Sequence, residues 1–326
     1  MQAILVTGGA GYIGSHTVRI LKQAGFEPVV YDNFSRGHRR AVEGFRVVEG
    51  DTGDLENLSR VMKDYKPSAV MHFAAHSQVG ESVEKPALYY ANNVIGGLTL
   101  LEAVRKAGVK YFIFSSSAAV YGEPQQVPIK EEAPLKPANP YGESKVILEN
   151  ALRYYGQAYG IKSVALRYFN AAGAAEGGEI GEEHEPETHL IPLILQAALG
   201  QKQNITVFGN DYPTQDGTAL RDYIHVEDLA LAHLLALEKL QEGQADAVYN
   251  LGNGKGYSVL EVIKAAERVT GLSINYRVGE RRPGDPAALV ASSEKAEREL
   301  GWKPLKPGLE DIVASAWRWH RKKCSN

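Results

Sequence analysis

The sequence predicts an α/β fold, with a doubly wound parallel sheet and a smaller mixed α/β lobe at its C-terminal end. Short apolar runs alternate with longer helical patterns through the first half of the chain, which is typical of βαβ units. The apolar runs lack an alternation with polar residues, as expected of strands that are buried on both faces. A glycine-rich turn directly follows the first apolar run.

Six runs are predicted as strands, and four segments between them as helices. The strands are Ala3–Thr7, Pro28–Tyr31, Phe45–Val48, Ala69–Phe73, Tyr111–Phe114 and Ser163–Leu166. The helices are Tyr12–Ala24, Leu55–Tyr65, Ala87–Ala107 and Tyr141–Tyr159. Beyond Tyr168 the pattern becomes irregular, so we assign residues 1–168 to one domain and 169–326 mainly to a second lobe. The helical pattern in a later segment, about 221–251, predicts a return to the main sheet.

Three stretches of the second half are predicted to be irregular. "AAGAAEGGEIGEEHEPETH", which ends at His189, indicates a long mobile loop because glycine, glutamate and proline crowd it. "RRPGDP" at Arg281–Pro286 indicates another irregular loop. "NLGNGKG" at Asn250–Gly256 lacks the spacing of a phosphate-binding loop and predicts a strand-to-turn connection.

The composition excludes several classes of protein. The 326 residues are 44% hydrophobic and 23% charged with a net charge of -3, so there is no basic surplus for nucleic acid. No apolar run approaches a membrane span, and the first strand begins at Ala3, which leaves no room for a signal peptide. Cys324 is the only cysteine, so an internal disulfide is impossible. We expect a soluble, cytoplasmic protein without a membrane or nucleic-acid partner.

The glycine-rich turn "VTGGAGYIGSH" places Gly8, Gly11 and Gly14 three residues apart, between a strand and a helix. Glycines at these positions permit a tight bend, close approach of a pyrophosphate and close packing of helix on strand. The helix N-terminus supplies N–H groups and a positive dipole end for the phosphates. The turn therefore predicts a Rossmann-type dinucleotide site, although a purely structural βα turn would also use glycine.

The second strand ends at Asp32, and this acid indicates the type of dinucleotide. A carboxylate there accepts hydrogen bonds from the adenosine ribose and repels an additional 2′-phosphate. Three arginines nearby would favour such a phosphate, namely Arg36, Arg39 and Arg40. Asp32 nevertheless makes NAD a better prediction than NADP.

"NPYGESK" places Tyr141 and Lys145 one helical turn apart, behind an Asn-Pro that suits the start of a helix. The cation stabilises a phenolate, which makes tyrosine a usable base. Ser117 lies at the C-terminal edge of the fifth strand, where open parallel sheets bind ligands. The alternatives are an ordinary surface pair of side chains and a serine-rich turn.

The histidines give no prediction of a metal site. His72 lies in a strand and His76 in the loop after it, so the two cannot converge on one helical face. "HEPETH", from His184 to His189, lies in the predicted mobile loop and is equally weak. No G-x-S-x-G elbow supports a Ser-His-Asp triad.

The motifs "TGGAGYIG", "FSSSAAVYG" and "YGESK", in that order, resemble the extended short-chain dehydrogenase/reductase family. Within it, "YDNFSRG", "HFAAHSQVGESVEKP", "LRYFNAAGA", "GNDYPTQDGTALRDYIHV" and "RRPGDP" resemble the UDP-glucose 4-epimerases over nearly the whole chain. The resemblance implies reversible 4-epimerisation of UDP-galactose and UDP-glucose, a tightly bound NAD, and usually a homodimer. It leaves open whether UDP-N-acetylhexosamines are also substrates.

The resemblance also implies roles for individual residues. The catalytic serine, tyrosine and lysine match Ser117, Tyr141 and Lys145. The cofactor positions match Gly8, Gly11, Tyr12, Ile13, Gly14, Asp32, Asn33, Asp51, Thr52, Phe73, Ala74, Ala75, Asn92, Ser115, Tyr141, Lys145 and Tyr168. The nucleotide-sugar positions match Ser117, Asn170, His189, Leu190, Val207, Phe208, Arg221, Tyr223, Arg282, Asp285 and Leu289. Ser77 and His189 depart from the pattern, since some relatives have lysine and asparagine there.

Three other functions stay open on the sequence. A nucleotide-sugar 4,6-dehydratase would share the first oxidation but needs an Asp-Glu pair after the serine, where this chain has Ala118 and Ala119. A non-catalytic NAD-binding regulator would have no need of the Tyr141–Lys145 pair. An external dehydrogenase would exchange NAD readily and consume a net oxidant.

Overall fold

The computed structural model describes residues 1–282 and 285–324. Its strands are β1 (Ala3–Thr7), β2 (Glu27–Asp32), β3 (Arg46–Glu49), β4 (Ala69–His72), β5 (Tyr111–Ser117), β6 (Lys162–Tyr168), β7 (Asn170–Ala172), β8 (Ile205–Phe208), β9 (Leu220–Arg221), β10 (Tyr223–His225), β11 (Ala247–Leu251), β12 (Tyr257–Ser258), β13 (Tyr276–Gly279) and β14 (Ala288–Leu289). Its helices are α1 (Tyr12–Gln23), α2 (Leu55–Tyr65), α3 (Val79–Glu84), α4 (Pro86–Tyr89), α5 (Gly96–Ala107), α6 (Pro140–Tyr159), α7 (Leu190–Ala198), α8 (Val226–Gln241), α9 (Val259–Thr270), α10 (Glu294–Leu300) and α11 (Leu309–Cys324).

A seven-stranded parallel sheet organises the chain, with the strand order β11-β6-β5-β4-β1-β2-β3. The order reverses between β1 and β4, because the chain runs outward from β1 on one side and continues from β4 on the other. Ligands bind at such a switch point in open α/β sheets, outside the carboxyl ends of the strands. The predicted doubly wound Rossmann-type fold is confirmed.

Helices cover both faces of this sheet, and the strand residues alternate between two apolar cores. Ile4 and Val6 of β1 pack with α1 and α8 on one face. Leu5 packs with α2, α5 and α6 on the opposite face. The buried runs thus lack a polar alternation because each face has its own core. The segment 221–251 contributes α8 and β11 to this domain, whereas its first strands pair outside the main sheet.

The predicted helix Ala87–Ala107 differs from the structure, which divides it into α4, a π-helical turn at Tyr90–Ile95 and α5. The wider turn directs Asn93 inward, where its Nδ2 donates to the His76 carbonyl oxygen and to Ser144 Oγ, each at 3.0 Å. π-turns inside helices often mark functional sites. This one joins the loop after β4 to helix α6.

Strand β5 continues to Ser117, three residues beyond the predicted end. Its serines therefore alternate as strand residues do. Ser115 and Ser117 face a cleft at the sheet edge, whereas Ser116 is buried and donates to Glu149 on α6 at 2.5 Å. The sequence did not show this extension because serines favour turns over strand interiors.

The second lobe is built around a separate apolar core of α7, α9 and α11 with β8 and β10. Strand β8 pairs with β13, β7 with β10, and β9 with both β12 and β14. The predicted mobile loop is packed in the structure, since Ala174 pairs with Gly181 and Trp319 Nε1 donates to the Glu182 carbonyl oxygen at 3.0 Å. Within the irregular loop Arg281–Pro286, Pro283 and Gly284 lie outside the described residues.

None of the helices within residues 1–282 and 285–324 combines the length and the apolarity needed to cross a bilayer.

Candidate active site

The turn between β1 and α1 contains two glycines at positions where any larger residue would clash with the backbone. Gly8 has φ +71°, and a Cβ there would lie 2.4 Å from the Ala74 backbone nitrogen. A Cβ on Gly14 would lie 2.3 Å from the Gly8 carbonyl oxygen. Helix α1 begins at Tyr12 behind Gly11, so its first-turn N–H groups point into the cleft without a capping side chain from the described residues. This is the arrangement that binds a pyrophosphate.

Asp32 at the end of β2 fixes the same turn. Its carboxylate accepts hydrogen bonds from the backbone N–H groups of Ala10 at 2.9 Å and Phe34 at 2.8 Å. Burial raises the pKa of this carboxyl, and the two N–H groups oppose that shift. Asp32 thus positions the backbone of the turn, and its role toward a ribose stays a prediction.

The three nearby arginines are each paired with a carboxylate. Arg36 contacts Glu81, Arg39 contacts Glu49, and Arg40 contacts Glu183. A 2′-phosphate would have to compete with those partners for a guanidinium. The structure therefore favours NAD over NADP more strongly than the sequence did.

A continuous cleft runs along the carboxyl edge of the sheet and collects most of the predicted cofactor residues. Its adenosine end is lined by Gly8, Gly11, Asp32, Asn33, Thr52, Phe73, Ala74, Ala75 and Asn92. Asp51 lies beside this end, where its carboxylate accepts from Asn33 Nδ2 at 2.7 Å. The other end is lined by Tyr12, Ile13, Gly14, Ser115, Ser117, Tyr141, Lys145, Tyr168, Asn170, His189, Leu190 and Tyr223, together with Ser77.

Helix α6 begins as the sequence predicted. Asn139 caps it by accepting from the Gly142 N–H at 2.9 Å, and Pro140 is its first residue. Tyr141 and Lys145 follow on the buried face of the helix, next to the end of β5. The Lys145 ammonium donates to the Ser115 carbonyl oxygen at 2.8 Å and lies 5.6 Å from the centre of the Tyr141 ring.

The electrostatics of this pair differ from the simple expectation that Lys145 lowers the tyrosine pKa. Burial raises the pKa of Tyr141, and the hydrogen bond from Ser117 only partly opposes the shift. Burial also lowers the pKa of Lys145 to about 7, against the influence of Glu149. Burial therefore opposes the phenolate form of Tyr141, and a positive charge beside the hydroxyl would favour it.

The predicted nucleotide-sugar residues fall into two groups. Ser117, Asn170, His189, Leu190 and Tyr223 line the cleft directly. The others lie on the second lobe, where Arg221 forms an ion pair with Asp285 and Arg282 lies 4.0 Å over the ring of Phe208. Val207 is buried in the core of that lobe, so its side chain is committed to packing.

Leu289 lies in β14, beside Arg221 of β9 in the strand register. Its side chain packs against a small apolar cluster that contains Ala118, Val120 and Ile129. Ala118 directly follows Ser117, so Leu289 packs beside the residue next to the predicted catalytic serine. Its role toward the sugar stays a prediction.

Several residues at the cleft were missed by the sequence reasoning. Arg36, His76, Gln78 and Glu81 line it beside Ser77. Glu182 and His184 line it with His189, and the His189 ring contacts the buried Glu182 carboxylate. Burial would raise the pKa of Glu182, but His189 and His184 hold it at about 2. The spacing in "EHEPETH" was the available signal, and its location in a loop made it weak.

Comparisons with known proteins agree with this architecture. Residues 4–252 match the model of the NAD dependent epimerase/dehydratase family. The UDP-glucose 4-epimerase of Halalkalibacterium halodurans is 52% identical over 321 residues, which cover 98% of this chain and 96% of the relative.

Two solved structures have the same fold over nearly their whole length. The UDP-glucose 4-epimerase of Brucella ovis in complex with NAD aligns with a TM-score of 0.95 at 49% identity, covering 97% of this chain and 98% of that one. The enzyme of Bifidobacterium longum in complex with NAD⁺ and UDP aligns with a TM-score of 0.94 at 42% identity, covering 99% of each chain. The resemblance seen in the sequence is confirmed, and the chain belongs to the NAD dependent epimerase/dehydratase family.

Proposed function

We propose that this protein interconverts UDP-galactose and UDP-glucose by inverting C4 of the sugar, with NAD held throughout the cycle. The observation that carries this proposal is the convergence of Ser117, Tyr141 and Lys145 on the same end of the cleft that begins at Gly8 and α1. The relatives named UDP-glucose 4-epimerase support it.

The chain fits the proposed cofactor. Backbone packs so closely against Gly8 and Gly14 that neither position has room for a Cβ, and this tight turn leads directly into the N-terminus of α1. Asp32 suits the adenosine ribose, while Tyr168 and Lys145 line the far end of the cleft. When bound, NAD supplies a hydride acceptor and donor at the sugar C4.

The side chains then have distinct tasks. Tyr141 removes the proton of the 4-hydroxyl and later returns it, while Ser117, which lines the same end of the cleft, orients or relays that proton. Lys145 supports the phenolate electrostatically. The 4-keto sugar turns about its link to the diphosphate and presents its opposite face. Arg221 and Arg282 suit the anchoring of the diphosphate, because guanidinium binds phosphate in a bidentate manner.

The structure also bears on the rival functions. Ala118 and Ala119 form the short 3₁₀ turn after Ser117, and Ala119 lines the cleft at the position where a dehydratase needs a carboxyl group. A regulator would have no use for a lysine buried beside a tyrosine, since burial of a cation is costly. These features favour the epimerase.

The deciding experiment is incubation of the purified protein with UDP-galactose without added NAD, followed by identification of the product sugar. UDP-glucose is the expected product, and denatured protein should release NAD or NADH. A dehydrated 4-keto-6-deoxy product would indicate a dehydratase. Stoichiometric reduction of the bound NAD without turnover would indicate an external dehydrogenase. Bound NAD without any conversion of the sugar would indicate a regulator. Release of NADP would contradict the assignment of Asp32.

We expect the Arg282→Ala substitution to weaken binding of UDP. The proposed contact is charge-assisted and worth about 1.5–3 kcal/mol. Arg281→Ala is the matched control, because that neighbouring arginine is paired with Asp211 and stacked on Tyr212. Calorimetry with UDP measures both variants, and equal affinities for Arg282→Ala and the unchanged protein would exclude Arg282 from the site.

The Leu289→Tyr substitution is expected to reduce activity on UDP-N-acetylglucosamine far more than on UDP-galactose. Leucine is of intermediate size, so the unchanged protein should epimerise the N-acetylated sugar measurably but more slowly. Added bulk beside the C2 substituent clashes only with the larger substrate. Rates with both substrates are the measurement, and a parallel loss of the two would mean that packing around Ala118 had been disrupted instead.

A homodimer and a cytoplasmic location are the remaining parts of the proposal. Ile95, the last residue of the π-turn, and Leu98 of α5 are one turn apart, and both are exposed. Exposed apolar side chains on one helix face support an association of two copies. Sedimentation at several concentrations measures the oligomeric state.

A further inference from the structure

Four potential metal ligands meet in the loop between β7 and α7. They are Glu182, His184, Glu187 and His189, and their ligand atoms all lie within 4.8 Å of one another. We propose that this group, the loop cluster, binds one divalent transition metal such as Zn²⁺ as a structural ion. Nothing in the proposed epimerase chemistry requires such an ion, so the inference stands independently of that function.

The spacing of the ligand atoms suits a four-coordinate metal. Zn²⁺ bonds to nitrogen and oxygen at about 2.0–2.2 Å, which places tetrahedral ligands about 3.3–3.6 Å from one another. His184 Nδ1 lies 3.3 Å from Glu182 Oε1 and 3.8 Å from Glu187 Oε2. His189 Nδ1 lies 3.8 Å from Glu187 Oε1 and in direct contact with Glu182. Only small movements separate this geometry from a closed N₂O₂ site.

The burial of the cluster also indicates a cation. The side chains of Glu182 and Glu187 are only 5% and 6% exposed. Two carboxylates taken out of water require about two opposing charges, which are supplied either by two protonated histidines or by one divalent ion bound to neutral histidines. His184 Nδ1 is itself buried and lacks a hydrogen-bond partner among the described residues. An unsatisfied ring nitrogen that faces two carboxylates is an available metal ligand.

The loop is held in place from outside, so its ligands are already oriented. Trp319 Nε1 donates to the Glu182 carbonyl oxygen at 3.0 Å, and Arg36 donates to that of Glu185 at 2.9 Å. Gln78 Nε2 donates to the Pro186 carbonyl oxygen at 3.1 Å. Ligands supported by such contacts lose little entropy on binding. His189 precedes α7, so a bound ion would fix both the loop and this end of the cleft.

The test is titration of tag-free, chelator-treated protein that still contains its NAD, in mildly alkaline buffer. A Cys324→Ser background removes the only thiol, which is exposed and could bind metal by itself. We expect one equivalent of Zn²⁺ by calorimetry and a higher melting temperature. Co²⁺ should produce the intense visible bands of a four-coordinate site.

Two variants locate the site, and a third is the matched control. His184→Ala and Glu187→Gln should each lower Zn²⁺ affinity by about tenfold or more, since each removes a ligand. The glutamine retains a side-chain oxygen that can accept hydrogen bonds from the backbone N–H groups of Thr188 and His189, as Glu187 does. Glu185→Gln, an exposed position in the same loop outside the cluster, should bind as the parent does.

Binding that persists in both ligand variants would place the metal elsewhere and overturn the proposal. Absence of any one-equivalent binding would overturn it as well, and the cluster would then be a hydrogen-bonded network of histidines and carboxylates. Because Glu187→Gln retains an acceptor for the Thr188 and His189 N–H groups, a folding defect of His184→Ala alone would leave the test decisive.

Discussion

Replacing Tyr141 by phenylalanine is expected to reduce turnover by about 10²–10⁴-fold or more, because general-base assistance is worth that much. The hydroxyl is the only group removed, and Tyr141 lines the same end of the cleft as Ser117. The ring packs edge-on against Tyr89, with the ring centres 6.5 Å apart, and the substitution leaves that contact unchanged. Steady-state rates with UDP-galactose measure the effect.

Folding and NAD content of the Tyr141→Phe protein should match the unchanged protein. Tyr154→Phe on the same helix is the control, since this tyrosine is 60% exposed and points away from the cleft. It should retain full activity. Turnover by Tyr141→Phe at the level of the control would remove Tyr141 from the mechanism.

Substituting methionine for Arg167 is expected to lower the free energy of unfolding by about 3–5 kcal/mol, because it leaves a buried carboxylate without its partner. Arg167 on β6 is 4% exposed, and its Nε donates to Glu149 Oε1 at 2.9 Å. Its Nη1 donates to the Tyr121 hydroxyl at 2.8 Å. Denaturant titration of the NAD-loaded protein measures the loss.

Two further variants test whether the unpaired charge causes that loss. The double substitution Arg167→Met with Glu149→Leu should recover much of the stability, because apolar replacements of a buried ion pair are often neutral. Arg105→Met removes a similar bidentate pair with Glu102 on the surface of α5 and should cost far less stability, because water screens an exposed ion pair. Equal losses for Arg167→Met and Arg105→Met would contradict this explanation.

The ion pair between Arg167 and Glu149 also shows how the fold supports the site. Glu149 lies one turn after Lys145 on α6 and raises the pKa of that lysine against the effect of burial. Ser116 donates to the same carboxylate, while its neighbours Ser115 and Ser117 face the cleft. Successive side chains of a strand point to opposite faces. Strand β5 therefore presents Ser115 and Ser117 to the cleft and Ser116 to the ion pair on its other face.

Features of this protein that depend on local patterns were predictable from the amino-acid sequence. Glycine spacing around Gly8 and Gly14 predicted the turn, because positive φ and close backbone approach admit no side chain. The Asn-Pro start of α6 predicted the position of Tyr141 and Lys145, because capping is a local hydrogen bond. Buried apolar runs predicted the parallel sheet, and motif order predicted the family.

The tertiary structure alone decided features that depend on residues far apart in the chain. In the π-turn at Tyr90–Ile95, Asn93 bonds to His76 and Ser144. These partners are distant in the chain, so the helical periodicity of the sequence did not predict the turn. The pKa of Tyr141 is raised because the folded chain removes water from it, whereas the sequence showed only its neighbouring cation. His184 and His189 meet two buried carboxylates because Trp319 and other distant side chains hold their loop. Burial and long-range contacts have no local signature, so only the folded chain could reveal them.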